Sequence, residues 1–130
     1  MRLLKLAALV AAFVFLAPVL SAFAHEWYSG QRDPIFNQTT CCGGSDCAPL
    51  PPHAISSFNG DLRVTLSLDE ARRINPRRVE PFDEVIPFER IQTVPPEGGA
   101  GPHICLMEKN RASEGDQRQG FFCIFLPPQG

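Results

Sequence analysis

The chain predicts a mainly β fold: a small, disulfide-stabilised antiparallel β-domain, a partly open barrel or a sandwich, with at most one short helix. Three observations predict it. Short runs of alternating apolar and polar residues recur through the second half of the chain, the period of half-buried strands. Thirteen prolines and ten glycines among 130 residues punctuate the chain too often for long helices. Five cysteines follow a leader that directs export, and an oxidising space permits disulfides.

The leader comes first. Arg2 and Lys5 give a positive start, Leu6 to Leu16 is unbroken apolar sequence, and Pro18 precedes the small-residue ending Ala22-Phe23-Ala24. This is a secretory signal peptide over residues 1–24, with His25 as the first mature residue. The apolar run is short for a membrane span, and no cysteine lies at the cut to carry a lipid. The mature protein is therefore expected in the periplasm or secreted, with no stable membrane anchor. Loss of Arg2 and Lys5 takes the formal net charge from −2 to −4, so a bulk attraction for nucleic acid is not expected.

Residues 25–130 read as one domain, opened by an irregular, cysteine-tied segment over 25–53. That segment carries turn signals throughout: Ser29-Gly30, Asp33-Pro34, Gly43-Gly44 and the prolines from 49 to 52. Next, "AISSFNGDLRVTL" sets two strands around Asn59-Gly60, a type I′ hairpin signal. Leu62, Val64 and Leu66 alternate with Asp61, Arg63 and Thr65, giving one buried and one wet face. Ser67 stands three residues before Glu70 as a capping box, opening a helix of one or two turns that Asn75-Pro76 stops. "EVIPF" and "ERIQTV" predict short strands interrupted by Pro87, which suits a sheet edge. In "PHICLM" alternation places His103, Cys105 and Met107 on one face. In "GFFCIFLPP" it places Phe121, Cys123 and Phe125 together, and a hairpin of these strands sets Cys105 opposite Cys123. A polar, charged, mobile loop over 108–120 is expected between them.

The disulfide candidates are Cys41, Cys42, Cys47, Cys105 and Cys123. The C-C-x4-C spacing is a poor zinc knuckle. No C-x-x-C suggests a thioredoxin-like site, no C-x-x-C-H attaches haem, and a vicinal Cys41–Cys42 bridge would need a strained ring. At most two bridges form within one molecule, so one thiol stays free or makes a covalent homodimer. The pairing itself stays open. Bridging Cys105 or Cys123 to the 41–47 cluster would close the longer loops, worth about 4–5 kcal/mol against about 3 for a loop near 20 residues. At least one such long-range bridge is expected.

No catalytic constellation emerges. There is no G-x-S-x-G, and the carboxylates show no readable acid/base pair. His103 and Cys105, sharing a strand face, are the only Cys–His nucleophile candidates. Arg72, Arg73, Arg77 and Arg78 form a basic knot that either meets an anion or is a solvated loop compensated by Asp69, Glu70, Glu80, Asp83 and Glu84. Asn37 sits in a glycosylation-type sequence. Trp27-Tyr28 either offers a ligand platform or closes the end of a small core.

A metal reading rests on His25, whose α-amine and imidazole are both freed by cleavage and suit Cu(II). His103 is the better second ligand and His53, in a proline-rich loop, the poorer one. No other cofactor is implied.

"HEWY", "CC" with "DC" closely after, "NGDLRVTL", "HICL" and "FFCIFLPP" together resemble a group of small exported bacterial proteins, common in rhizobial-type bacteria. That group shares H-x-W-Y, CC…DC, H-x-C and C-x-F-x-P-P motifs. The resemblance implies export and cysteine pairing and carries over no activity. The expected function is therefore non-catalytic binding of a protein or small ligand. A copper-binding periplasmic protein is the first alternative, and a thiol-dependent enzyme or redox protein the second.

Overall fold

The computed structural model describes residues 26–36, 40–41, 46–110 and 119–128. The leader, His25, Asn37 and Cys42 lie outside the described residues. Two short helices and seven strands follow one another: α1 (Glu26–Ser29), β1 (Cys47–Pro49), β2 (Ile55–Phe58), β3 (Asp61–Leu66), α2 (Leu68–Ile74), β4 (Phe82–Ile86), β5 (Ile91–Thr93), β6 (His103–Leu106) and β7 (Phe121–Leu126). The strands form two separate sheets, one in the order β1-β6-β7-β5 and one in the order β2-β3-β4. The mainly β, disulfide-stabilised expectation holds, in the two-sheet form. One pair departs from the antiparallel rule, because β5 runs parallel to β7.

Local chemistry explains the elements. Asn59 and Gly60 both take positive φ, 51° and 92°, as a type I′ turn requires. Ser67 caps α2 through the Glu70 amide while the Glu70 carboxylate returns to the Ser67 amide, completing the capping box. Ala71 and Ile74, three residues apart, form the buried face of α2. The helix ends at Asn75, before Pro76. Single 3-10 turns at Pro52–Ala54, Phe88–Arg90 and Pro96–Gly98 each follow a proline whose φ is preset. The turn after Pro87 carries the chain from β4, an edge of the smaller sheet, to β5, an edge of the larger one.

Within the irregular 25–53 segment the structure finds order that the sequence pattern hid. Cys47–Pro49 is a strand, paired antiparallel with β6. Three residues ending in proline carry no visible alternation, and the neighbouring strand supplies the ladder instead.

The two sheets share one apolar core. Leu62, Val64 and Leu66 from β3 meet Phe82 and Ile86 from β4, Ile104 and Leu106 from β6, and Phe121 and Ile124 from β7. Full burial of each such side chain stabilises the fold by about 1.5–3 kcal/mol. On the other face of the larger sheet a second cluster gathers Tyr28, Val94, Phe125 and four cysteines.

Phe121 corrects the predicted face assignment. Cys105 pairs with Cys123, but Leu106 pairs with Phe121, so Phe122 is an extra residue on β7. This β-bulge breaks the period of two. Phe121 consequently joins Ile124 in the shared core, while Cys123 and Phe125 remain on the cysteine face.

Candidate functional site

The cysteine cluster assembles from both ends of the domain. Cys41 bonds Cys123 and Cys47 bonds Cys105, across sequence separations of 82 and 58. Cys47 is the direct cross-strand neighbour of Cys105, which is in turn the neighbour of Cys123. Three of the four bonded cysteines thus stand on three adjacent strands, and Cys41 reaches Cys123 from the segment before β1. Both bridges are long-range, and the local Cys105–Cys123 alternative is not used. Bonded Cys105 has no thiol, so the Cys105–His103 nucleophile reading does not survive.

Aromatic rings seal this face. Trp27 lies edge-on to Phe125 at 5.1 Å and to His103 at 5.2 Å between centroids. Gly98 lets Trp27 approach, since a Cβ there would stand 3.0 Å from the indole and 2.7 Å from Val94. The Tyr28 hydroxyl meets His103 Nδ1 at 2.5 Å, both side chains being buried. Burial lowers the His103 pKa from 6.5, and a hydrogen bond with the Gly98 backbone only partly opposes this. Burial thus favours the neutral imidazole, the form in which Nδ1 can accept the Tyr28 hydroxyl. Trp27 and Tyr28 therefore close the end of a core.

Of the expected copper pair, His25 lies outside the described residues, and His103 has its Nδ1 against the Tyr28 hydroxyl. His53 is exposed and bonds Glu70 at 2.6 Å. Among the described residues no group of three or more His, Cys, Asp or Glu side chains is arranged to hold a metal.

The bulge opens a different site. A cleft of about 360 Å³ is lined by Asp46, Asn75, Arg77, Met107, Glu108, Lys109 and Phe122. Buried Asn75 organises one lip: its Nδ2 donates to the Leu106 carbonyl at 2.9 Å, and its Oδ1 accepts the Arg77 amide at 3.0 Å. Asp46 enters beneath, its backbone oxygen accepting the Leu106 amide at 2.8 Å and its side chain only 7% exposed. Arg77 reaches across, with Nε 3.2 Å from Glu108 and Nη2 3.8 Å from Asp46. Phe122, the bulged residue, and Met107 supply the apolar wall.

The arginine knot separates into distinct roles, and the solvated-loop expectation fails for Arg78. That side chain is buried, donating to the carbonyls of Glu80, Met107 and Pro81 and to Asn110 Oδ1. Burial lowers its pKa, opposed by the nearby Glu80 and Glu84. Arg72 Nε donates to the Arg78 carbonyl at 3.1 Å. Arg77 takes its ion-pair partners from distant Asp46 and Glu108 rather than from the acids that flank the knot in sequence.

Comparison with protein-family models, curated proteins and solved structures returns no match for this chain. The motifs behind the resemblance nevertheless acquire a physical reading. Trp27, Tyr28, Cys41, Cys47, Cys105, Cys123 and Phe125 all belong to the cluster of the two bridges or pack on it. The described residues among them hold the cysteine face of the domain together.

Proposed function

We propose that this protein is an exported, disulfide-locked β-domain that works by binding, with the cleft between Arg77, Asp46 and Phe122 as its ligand face. One observation carries this reading: a cleft with a buried carboxylate and an apolar wall stands on strands that the Cys47–Cys105 bridge fastens together. Pockets that bind small groups are typically apolar with a few placed polar atoms, and a pre-formed frame lowers the ordering cost of binding. The buried bridges favour export, since reducing compartments keep thiols free. No helix among the described residues is long and apolar enough to cross a membrane.

The test has two arms. Expression with the native leader should yield a periplasmic or secreted chain beginning at His25, with two disulfides by intact mass. Amide shift mapping with a panel of small charged and apolar probes should then perturb Asn75, Arg77, Glu108 and Phe122 together. A panel that leaves these residues unmoved would overturn the cleft assignment. Recovery of the reduced chain from the cytosol would overturn export.

A further inference from the structure

Arg73 is the member of the arginine knot that the fold itself does not use. Among the described residues it has no hydrogen-bond or ion-pair partner. It lines a second pocket, of about 270 Å³, at the seam between α2 and the chain that leaves β1. We propose that this pocket binds a small aliphatic monocarboxylate, with the Arg73 guanidinium holding the carboxylate and the apolar wall holding the stem.

Glu70 and Asp69, three and four residues before Arg73 on α2, have the spacing of helical ion-pair partners. Both Glu70 oxygens are occupied elsewhere. Oε2 accepts the Ser67 amide at 2.9 Å and the Ser67 hydroxyl at 2.7 Å, and Oε1 meets His53 Nε2 at 2.6 Å. Asp69 makes no ion pair with Arg73. The capping box that starts α2 therefore takes a counter-ion away from its last turn. A guanidinium is a planar fork of donors that matches a carboxylate through two parallel bonds. Arg73 offers that fork without breaking a contact, whereas Arg72, Arg77 and Arg78 are each engaged within the fold.

The walls select the rest of the ligand. Ala48, Pro49, Leu50 and Pro51 form one side, and Ile74 comes from the buried face of α2. This side is rigid: β1 is laddered to β6, Cys47 is bridged to Cys105, and the Leu50 amide donates to the Pro102 carbonyl at 2.8 Å. The prolines add preset φ angles, and a pre-formed apolar surface costs little ordering on binding. The polar side chains at the pocket are those of Arg73 and Glu70. Glu70 stays ionised, its pKa lowered to about 2 chiefly by the Ser67 hydroxyl, so a second negative charge on the ligand would face it. One charge at the Arg73 end and an uncharged stem is the arrangement that fits. A peptide chain end would bring a backbone amide beside its carboxylate, which an apolar wall leaves unpaired. The volume lies just below the usual range for ligand sites, which favours a small acid.

The test uses the oxidised mature protein and four probes: hexanoate, its neutral analogue hexanamide, the peptide acid Nα-acetyl-glycyl-leucine, and inorganic phosphate. Amide shifts of Ala48, Leu50, Arg73 and Ile74 at neutral pH and low salt should report hexanoate binding with Kd on the order of 10 mM, as expected for so small a ligand. Hexanamide should bind about two- to fivefold more weakly, the range of one exposed charge pair. Arg73→Gln should weaken hexanoate by the same factor and make the two probes equal. Arg72→Gln, the same change of net charge one residue away, should keep the preference for hexanoate. Arg73 is exposed and glutamine is a good helix former, so the variant is expected to fold. Thermal unfolding verifies this; should it fail, the hexanamide comparison decides alone. Equal binding of hexanoate and hexanamide by the wild type, or an unchanged preference in Arg73→Gln, overturns carboxylate recognition. Preferential phosphate binding overturns the apolar acid in favour of simple anions, and tighter binding of the peptide acid overturns the free acid in favour of chain ends. No shift at the four amides with any probe overturns the pocket as a site.

Discussion

Asp33 and Arg90 form the most consequential polar contact outside the cleft, and replacing Asp33 by Ala tests it. The Asp33 side chain is fully buried and Arg90 is 2% exposed. Asp33 Oδ2 accepts Nε at 3.0 Å and Nη2 at 2.8 Å, while Oδ1 accepts the Ile35 and Phe36 amides at 2.9 Å each. The guanidinium also lies 3.7 Å over the Phe121 ring. Removing the carboxylate takes the counter-charge from a buried guanidinium, which keeps only weaker neutral contacts such as Gln119 Oε1 at 3.5 Å and the Phe121 carbonyl at 3.4 Å, and takes the acceptor from two amides. Breaking a buried pair from one side costs about 3–5 kcal/mol, a large part of the 5–15 kcal/mol typical of a domain. At about 4–8 °C per kcal/mol, Tm should fall by about 12–40 °C. Urea unfolding followed by circular dichroism, with the bridges intact, measures this. The double variant Asp33→Ala/Arg90→Met should recover part of the loss, because the buried charge that lost its carboxylate is gone. A loss below about 1 kcal/mol for Asp33→Ala, or strictly additive losses in the double variant, would refute a buried and coupled pair.

Three further outcomes are expected. Alkylation of the native oxidised protein should label no more than one thiol, at Cys42, and labelling after reduction and unfolding should reach five; replacing Cys47 and Cys105 together by Ala should cost about 4 kcal/mol on loop-closure grounds for a separation of 58, and native labelling at Cys41 or Cys123 would contradict the pairing. Gly120→Ala should destabilise by several kcal/mol, on the order of a severe overpacking, because Gly120 has φ of 80° and a Cβ would press the Asn110 backbone and stand 2.9 Å from the Lys109 carbonyl; wild-type Tm in that variant would refute the close approach. Acid should act in two windows: stability held by neutral His103 is present above its unfolded value of 6.5 and lost as pH falls below it. Glu70, held down to about 2 by the Ser67 hydroxyl, then the Ser67 amide and His53, contributes above its ordinary 4.5 and loses that contribution as pH falls toward 2. Carboxyl chemical shifts should give Glu70 that low midpoint and Ser67→Ala should raise it; an unchanged midpoint would refute the capping explanation.

Local, repeating signals were legible in the sequence. Asn59-Gly60, the Ser67–Glu70 box and the alternation in β3 each rest on chemistry within a few residues, and the structure places each as expected. The opposition of Cys105 and Cys123 was also legible, since a hairpin couples two readable strands. What stayed hidden depends on distant partners. Arg90 sits in a charged stretch, "FER", and nothing nearby marks it as buried; its partner Asp33 lies 57 residues away. β1 needs β6 to exist as a strand, and the parallel placement of β5 needs the chain to cross between sheets after Pro87.

The sequence reading fails most densely around the cleft, and the failures have one physical origin. A regular β7 would have put Phe121 beside Cys123 and pointed Phe122 into the shared core. The bulge exchanges them, so the core keeps an aromatic ring and the cleft gains another. That exchange is tolerated because Arg78 binds the carbonyls of Met107 and Gly120, just beyond the β6–β7 ladder, together with those of Glu80 and Pro81 before β4. Asn75 does the same for Leu106, and by accepting the Arg77 amide it lifts that side chain over the opening. Phe122, Arg78, Asn75 and Asp46 each look unremarkable as sequence: one aromatic in a run, one arginine in a knot, a helix stop, and an acid before a cysteine. Each departs from its local pattern to maintain the same irregularity. A regular hairpin would satisfy its own backbone and need neither buried arginine nor buried asparagine. Their burial beside one cleft is a cost in desolvation that the shared core does not require, and it is the cleft that this arrangement holds open.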